Sequence, residues 1–441
     1  MVFALISKVF CRVIKKKSTL NVFSLLVIRY GSTALAFFIG LIIARSYGSL
    51  ATGTYYLFVS MVNFFALLSK FGSERMLTRV GGAESITPKL KSIWLKSMVV
   101  ASVLSFFVSM ALFAVGPYLF HWFYSFEDSQ LLVFLTIVTL FPLSFLGLNC
   151  GLLRGLKMPK LAALFDGLLL QGLIFILIIF LALRVIEDAQ VCSLYAYSAS
   201  VIIVSLFSIF AVAYSLRNVE FSFKSVSYAN IFVDSWPLFG VSVIVFLTNW
   251  TSSFFLAAIA SESEVGIYNI CWRIVLFLGM VMMVFNNINS PYFSKLYSDG
   301  NIDRLEDRAR RTSKLCLIIG VLVYAPLFIY GEFILGIFGP DFISGLDAML
   351  ILSAGQLFSM SFGSVGYILM MTGHGKVQRN LNLCSLVLLF LSAPILIAQY
   401  GIVGAAISTS LVISFNNVAA SIAVRRFVGI QVFPLINARF S

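Results

Sequence analysis

The sequence is poor in charged residues, and this shortage excludes a water-soluble globular protein. Charged residues make up 11% of the 441 residues, whereas hydrophobic residues make up 60% and phenylalanine alone occurs 44 times. A soluble fold cannot bury so much apolar surface, so we predict an all-α integral membrane protein. Helices are expected rather than barrel strands, because the chain repeatedly supplies apolar runs of about 20 residues.

Arrangements that carry catalysis or bind metal are also missing from the pattern. The two histidines, His121 and His374, have no carboxylate or cysteine at ligand or triad spacing. The six cysteines are scattered singly, which indicates neither a zinc site nor a disulfide framework. A phosphate-binding loop of the GxxxxGK type is lacking as well. We therefore predict a transporter rather than an enzyme, without catalytic residues, metal or cofactor.

The excess of basic residues indicates membrane orientation rather than nucleic-acid binding. The formal net charge is +13, and lysine and arginine cluster in the polar breaks between apolar runs. Twelve spans are predicted, at residues 20–44, 54–71, 94–116, 131–153, 161–183, 191–215, 237–260, 265–289, 314–336, 347–371, 378–399 and 402–424. With a cytoplasmic N-terminus nearly all basic residues fall on the cytoplasmic side, as the positive-inside rule requires. Both termini are then cytoplasmic.

The chain carries signs of an internal repeat. The motif Gly53-Thr54-Tyr55 at the start of the second span is echoed by Gly266-Ile267-Tyr268 at the start of the eighth. Two long basic links, residues 73–96 and 294–314, occupy equivalent places and are predicted to be helices at the membrane surface. We predict two six-helix lobes in a parallel repeat. The division is an N-terminal lobe at residues 1–216, a cytoplasmic link at 217–236 and a C-terminal lobe at 237–441.

Two arginines inside apolar runs are not explained by orientation. Arg29 lies roughly 14 Å into the first span from the cytoplasmic edge, and Arg273 lies roughly 12 Å into the eighth span from the outer edge. Such residues are costly in a membrane and normally face a bundle interior or a watery cavity. Each arginine could be neutralised within its own bundle. Alternatively the two line a positive cavity near the midplane that attracts an anion such as phosphate, because the guanidinium fork donates paired hydrogen bonds.

Five further polar residues are candidates for the cavity or its gates. Asp166 in the fifth span is the one carboxylate predicted at membrane depth, too few to neutralise both arginines. Asn63 and Asn249 are predicted either to join helices or to meet sugar hydroxyls. Asp234 stands before Trp236-Pro237 and either caps a helix or takes part in gating or ion coupling. Lys70 ends the second span and either snorkels to the interface or contacts substrate.

Several short motifs give the sequence a family resemblance. They are Ala44-Arg45-Ser46-Tyr47-Gly48, Gly53-Thr54-Tyr55, Lys70-Phe71-Gly72, Val265-Gly266-Ile267-Tyr268, Ser290-Pro291-Tyr292-Phe293 and Phe338-Gly339-Pro340-Asp341-Phe342. In these the chain resembles the polysaccharide repeat-unit flippases of the O-antigen type, within the multidrug/oligosaccharidyl-lipid/polysaccharide exporter superfamily. The resemblance implies two six-helix lobes that form a V around a central cavity and work by alternating access.

The resemblance also implies a function and its partners. The expected activity is transfer of an undecaprenyl-pyrophosphate-linked oligosaccharide from the inner to the outer leaflet of the bacterial inner membrane. Arg29 and Arg273 are the positions that fit the basic cavity of such proteins. A polysaccharide polymerase, a chain-length regulator and membrane lipids are the expected partners, and a proton or sodium gradient is the candidate driving force. Two alternatives stay open: a cation-coupled multidrug exporter, which would want acidic cavity residues, and a non-transporting scaffold for polysaccharide assembly.

Overall fold

The protein is a succession of helices joined by short turns. The computed structural model describes residues 17–83, 88–123, 129–184, 189–219 and 227–432. The first helices are α1 (Lys17–Lys70), α2 (Ser73–Ala83), α3 (Pro88–Phe123), α4 (Ser129–Gly155), α5 (Pro159–Ala163), a π-helical turn (Leu164–Leu169), α6 (Leu170–Arg184) and α7 (Ala189–Ser215). They are followed by α8 (Tyr228–Ile259), α9 (Glu262–Ser298), α10 (Ile302–Gly336), a 3₁₀ turn (Pro340–Gly345), α11 (Leu346–Phe362), α12 (Val365–Met371) and α13 (Gly375–Phe427). The basic cluster at residues 8–16 and residues 220–226 of the predicted link lie outside the described ranges.

Within those ranges, nine helical segments are long and apolar enough to cross a membrane. They are Ser24–Lys70, Pro88–Phe120, Ser129–Gly155, Pro159–Leu181, Val191–Ser215, Tyr228–Ile259, Ile302–Gly336, Pro340–Phe362 and Gly375–Phe427. Large apolar side chains along them face outward, as in α3, where Phe106 and Phe107 are each 60% exposed and Phe113 is 78% exposed. Such a surface is stable in lipid. The prediction of an all-helical, multi-pass membrane protein is confirmed, and the count of twelve spans stays a prediction.

Glycines interrupt the two longest helices at the predicted ends of spans. Gly48 in α1 has φ 80° and ψ −174°, and Gly401 in α13 has φ 52° and ψ −128°. Positive φ costs a residue with a Cβ atom, so glycine is the natural residue at both breaks. A third break, at Gly363 with φ 63°, separates α11 from α12. The prediction of one continuous helix over residues 347–371 is therefore wrong.

The long basic links differ from the predicted surface helices. Residues 294–314 are not one helix, because α9 continues to Ser298 and α10 begins at Ile302, with Gly300 at φ 70° between them. A left-handed glycine after a helix end is a common way to stop the helix. The other link contains a separate helix, α2, which ends at Ala83 before α3 begins at Pro88.

The described chain groups into two compact units. The first unit comprises Met1–Ile39, Phe58–His121 and Phe126–Ser242, and the second comprises Gly40–Leu57, Trp122–Ser125 and Val243–Ser441. The boundary between the two units at residue 242 lies close to the predicted start of the C-terminal lobe at residue 237. Residues 40–57 group with the second unit, although they precede the predicted link.

The two repeat motifs meet inside the second unit. A Cβ atom on Gly53 would lie 1.8 Å from the Glu262 carbonyl oxygen, and one on Gly266 would lie 2.2 Å from the Ser49 carbonyl oxygen. Thr54 next to this crossing donates a hydrogen bond of 3.0 Å to Glu262 Oε2. The glycines are therefore needed because two backbones approach too closely for any side chain.

Candidate functional site

Arg29 lies on α1 in the first unit with its side chain exposed. Its carbonyl oxygen accepts hydrogen bonds from Ser32 Oγ at 2.8 Å and Thr33 Oγ1 at 3.1 Å, which ties the hydroxyls to their own helix. Ser32 lies against the π-helical turn, since a Cβ atom on Gly167 would be 3.1 Å from Ser32 Oγ. Among the described residues of this unit, the Arg29 guanidinium has no acidic partner.

Arg273 lies on α9 in the second unit and is half-buried. Its guanidinium carbon stands 4.4 Å from the centroid of the Tyr56 ring, a cation–π contact. The Tyr56 ring is fully buried, and its hydroxyl has no hydrogen-bond partner in the described part of the chain. A ring face attracts the cation without neutralising it. Arg273 therefore keeps its full charge available to an anion.

Asp166, a predicted cavity residue, is part of an ion-pair network. It lies in the π-helical turn, and its Oδ2 accepts a hydrogen bond from the Arg154 guanidinium. Arg154 also reaches Glu74 Oε1 at 3.0 Å, and Glu74 Oε2 accepts from Lys70 at 2.9 Å. These four residues, two cations and two anions, are called here the Glu74 network.

The Glu74 network is balanced in charge and partly shielded from solvent. The side chains of Lys70, Glu74, Arg154 and Asp166 are between 20% and 29% exposed. Burial alone would raise the pKa of Glu74, but the charges and hydrogen bonds of Lys70 and Arg154 outweigh it and hold the pKa at about 2. Glu74 is thus a firmly ionised bridge between the ends of α1 and α4.

Glu74 and Arg154 are the residues that sequence reasoning missed. Arg154 lies in a basic loop that the positive-inside rule explains, and Glu74 belongs to a link predicted to be a helix at the membrane surface. Two signals point to the network. Glu74 follows Lys70 by four residues, which is the spacing of an ion pair on a helix surface. Arg154 and Asp166 flank a tight turn after α4, which brings α5 back against it.

Asp234 forms an exposed ion pair instead of capping a helix. Arg79 Nη2 lies 3.2 Å from Asp234 Oδ1, and both side chains are more than half exposed. The capping alternative is wrong, because α8 begins at Tyr228 and Asp234 lies beyond its first turn. An exposed pair of this kind contributes little to stability.

Asn63 takes part in a contact between helices. Its Nδ2 donates to the Val59 carbonyl at 2.7 Å and to the Tyr197 hydroxyl at 3.2 Å. Tyr197 is buried on α7, so the amide joins α1 to α7 within the first unit. This geometry favours the helix-joining alternative for Asn63.

Asn249 lines a cavity within the second unit. The cavity measures about 260 Å³ and lies between α8 and both parts of α13. Four aliphatic side chains contribute to its wall. The whole pocket is called here the amide cavity. Its polar wall consists of Thr248, Asn249, Asn382, Ser385, Asn416 and Asn417.

The amide cavity is organised by side-chain hydrogen bonds. Asn416 Nδ2 donates to Asn382 Oδ1 at 3.0 Å and to Ser385 Oγ at 2.9 Å. Gln378, one turn before Asn382, donates to the same Oδ1 at 3.0 Å. Sequence reasoning found Asn249 but missed the other amides, because they lie on a helix more than a hundred residues away.

The described residues contain no cluster of three or more His, Cys, Asp or Glu side chains that could hold a metal ion. Among the candidate residues described above, those without a carboxylate partner are the guanidinium groups of Arg29 and Arg273 and the amides. These groups suit anions and hydroxyl-rich ligands.

Comparison with protein families places these groups in context. Residues 18–297, more than half of the chain, match the family described as polysaccharide biosynthesis protein. The chain belongs to this family. Residues 237–395 also match the family described as MatE.

Two curated relatives of this polysaccharide biosynthesis protein are distant in sequence. The probable low-salt glycan biosynthesis flippase Agl15 of Haloferax volcanii is 22% identical over 223 residues, 50% of this chain and 47% of the relative. The capsular polysaccharide biosynthesis protein CapF of Staphylococcus aureus is 23% identical over 185 residues, 42% of this chain and 47% of the relative. The matches thus span about half the length of these relatives.

Solved structures establish the fold of this family member. It resembles the lipid II flippase MurJ in an inward closed conformation, with a TM-score of 0.76 at 13% identity over 91% of this chain and 87% of that chain. It also resembles an inward-facing multidrug resistance MATE family transporter of the MOP superfamily, with a TM-score of 0.73 at 19% identity over 90% and 94%. The predicted resemblance to a polysaccharide family is confirmed by the family match, and the solved structures show a shared membrane fold.

Proposed function

We propose that the protein transfers undecaprenyl-pyrophosphate-linked oligosaccharide repeat units from the inner to the outer leaflet of the bacterial inner membrane. The product would feed the synthesis of a surface polysaccharide, either the O-antigen of lipopolysaccharide or a capsule. Membership of the polysaccharide biosynthesis protein family is the observation that carries this proposal. The names of the relatives, a glycan flippase and a capsular polysaccharide protein, agree with it.

The arginines give the proposal a mechanism. Asp166, the carboxylate predicted at membrane depth, pairs with Arg154 through its Oδ2 and forms no ion pair with Arg29 in the described part of the chain. Arg273 rests on an aromatic face instead of a carboxylate. Arg29 and Arg273 each lack an ion pair with the described residues, which supports the hypothesis that they attract a pyrophosphate, whose oxygens accept charge-assisted hydrogen bonds.

The proposed architecture has twelve spans in two six-helix lobes, at residues 1–216 and 237–441, with both termini cytoplasmic. Support comes from the helices themselves. Two of the nine candidate segments are interrupted by Gly48 and Gly401, and α9 supplies a further long helix. The proposal also includes a V-shaped pair of lobes that works by alternating access. A proton or sodium gradient would drive transport, and a polymerase with its chain-length regulator would be the partners.

A cation-coupled multidrug exporter is the second candidate, and the MatE match over residues 237–395 favours it. Such an exporter would need a carboxylate free to meet a cationic compound. In the described part of the chain, two acidic residues of the first unit are engaged: Asp166 by Arg154, and Glu74 by Lys70 and Arg154. The ionic groups therefore favour the flippase.

A deletion strain tests the proposal. Loss of a flippase should stop surface polysaccharide and leave lipid-linked repeat units on the inner leaflet. Loss of a drug exporter should leave the polysaccharide intact and increase sensitivity to cationic dyes. A scaffold for polymer assembly would reduce polymer length while lipid-linked units still reach the outer leaflet, which would contradict the flippase.

A further inference from the structure

The amide cavity displays hydrogen-bonding groups that the protein itself does not use. Asn249 donates to the Val245 carbonyl of its own helix at 2.7 Å, which leaves its Oδ1 without a partner among the described residues. Asn417 donates to Ser359 Oγ at 3.0 Å and to the Ile413 carbonyl, and its Oδ1 is likewise unused. Asn382 accepts twice at its Oδ1, while its Nδ2 donates to no described group. The wall therefore offers both donors and acceptors to whatever fills it.

These groups lie in helices predicted to span the membrane, where they need hydrogen-bond partners. Asn249 lies near the middle of the span predicted at residues 237–260, and Asn416 lies inside the span predicted at 402–424. Polar groups that face hydrocarbon without a hydrogen bond cost several kcal/mol each. The amide cavity is therefore built to hold water or a polar ligand rather than lipid.

The composition of the wall selects the chemistry of that ligand. None of the side chains that line the cavity is charged. An anion would meet the lone pairs of Asn249 and Asn417, and a cation would meet the N–H groups of Asn382. A hydroxyl donates one hydrogen bond and accepts others, so a neutral ligand with several hydroxyls satisfies donors and acceptors together. At 260 Å³ the cavity lies below the range of about 300 to 1,000 Å³ for drug-sized ligands, which suits a single sugar ring.

We propose that the amide cavity is a sugar-binding site for one ring of the glycan, separate from the arginines that meet the pyrophosphate. This inference rests on the proposed function for the identity of the glycan. It rests on the unused amide groups for the site itself. Sugar recognition would then be a local property of the second unit.

Binding of the free oligosaccharide tests the site apart from transport. The probe is the oligosaccharide released by mild acid from the lipid-linked glycan of the native cells, and inorganic pyrophosphate serves as the anionic probe. The full-length protein is purified in a detergent without a sugar headgroup, because a maltoside would compete. Isothermal titration calorimetry then gives Kd for each probe.

Asn249→Leu and Asn417→Leu should each weaken oligosaccharide binding about tenfold, because each removes a hydrogen-bonding group and leaves a ligand hydroxyl unpaired. Asn380→Leu changes an exposed amide of α13 outside the cavity and should leave that Kd unchanged. Arg29→Ala should weaken pyrophosphate binding alone. The reciprocal pattern separates the two sites.

Other results would overturn the inference. The wild-type protein should bind the oligosaccharide, so no heat of binding would refute the site. Equal Kd values for wild type, Asn249→Leu and Asn417→Leu would refute it too, provided that the variants elute as folded protein. The two proposals can also fail separately. If sugar binding depends on the amides but deletion of the gene leaves the lipid-linked glycan evenly distributed between the leaflets, the sugar site stands and the flippase is rejected.

Discussion

The Glu74 network makes a quantitative prediction about stability. The pKa of the Glu74 carboxyl is held at about 2 instead of 4.5, because Lys70 and Arg154 outweigh the effect of burial. A difference of this size corresponds to about 3 kcal/mol of stabilisation at neutral pH. Glu74→Gln removes the charge that joins the two cations. We expect the variant to lose a large part of that free energy and to melt several degrees below the wild type.

The stabilisation by Glu74 should depend on pH with a definite sign. A carboxyl whose pKa is lowered in the folded state stabilises the protein above its unfolded pKa, and this stabilisation is lost as pH falls through the folded pKa. The difference in stability between wild type and Glu74→Gln should therefore be complete at pH 7, smaller near pH 3.5 and mostly lost near pH 2. The difference is measured by heating the detergent-solubilised protein and using size-exclusion chromatography to determine the fraction that stays folded.

A matched glutamate provides the control. Glu332 on α10 is exposed and forms no ion pair with the described residues, so Glu332→Gln should change stability by no more than about 0.5 kcal/mol. The reasoning is refuted if Glu74→Gln melts together with Glu332→Gln at pH 7. It is also refuted if the gap between wild type and Glu74→Gln widens as the pH falls.

Two further predictions concern the arginines and the helix crossing. Arg29→Ala or Arg273→Ala should abolish surface polysaccharide while membrane insertion stays intact, and Lys at either site should keep partial function; full polysaccharide in the double Ala variant would contradict the cavity hypothesis. Gly53→Ala should sharply reduce the folded yield, because its Cβ would lie 1.8 Å from the Glu262 carbonyl oxygen. Gly82→Ala, where nothing lies within 4 Å, should be neutral or slightly stabilising in the same chromatographic assay.

The sequence predicts the features that follow from solvent and backbone chemistry. Hydropathy identifies the membrane helices because the bilayer leaves few other structures possible. The breaks at Gly48 and Gly401 are predicted because polar residues and glycine separate two apolar runs. Gly363 is not predicted, since it lies in an apolar run and its positive φ is imposed by packing, with Ser313 3.0 Å from where its Cβ would be.

Polar pairing across helices is the part that the sequence conceals. Asp166 is predicted to be a carboxylate at membrane depth, yet its partner Arg154 looks like an orientation charge until the turn between α4 and α5 is known. The sequence does not single out the amides of α13 as a site either, because asparagines in membrane helices commonly join helices. The role of each depends on which neighbour takes its hydrogen bonds, and spacing along one helix does not determine that.

The partners of the charged groups divide substrate recognition between two kinds of chemistry. Because Arg154 and Lys70 pair with Glu74 and Asp166, the network contributes no net charge, and Arg29 forms no ion pair with the carboxylates that the structure describes in its own unit. The amide cavity carries no charge either, so it cannot compete for a pyrophosphate. Charge would then select the part of the substrate common to every lipid-linked glycan, and hydrogen bonding would select the sugar. Changes confined to the amides should therefore alter which glycan is accepted while leaving pyrophosphate affinity constant.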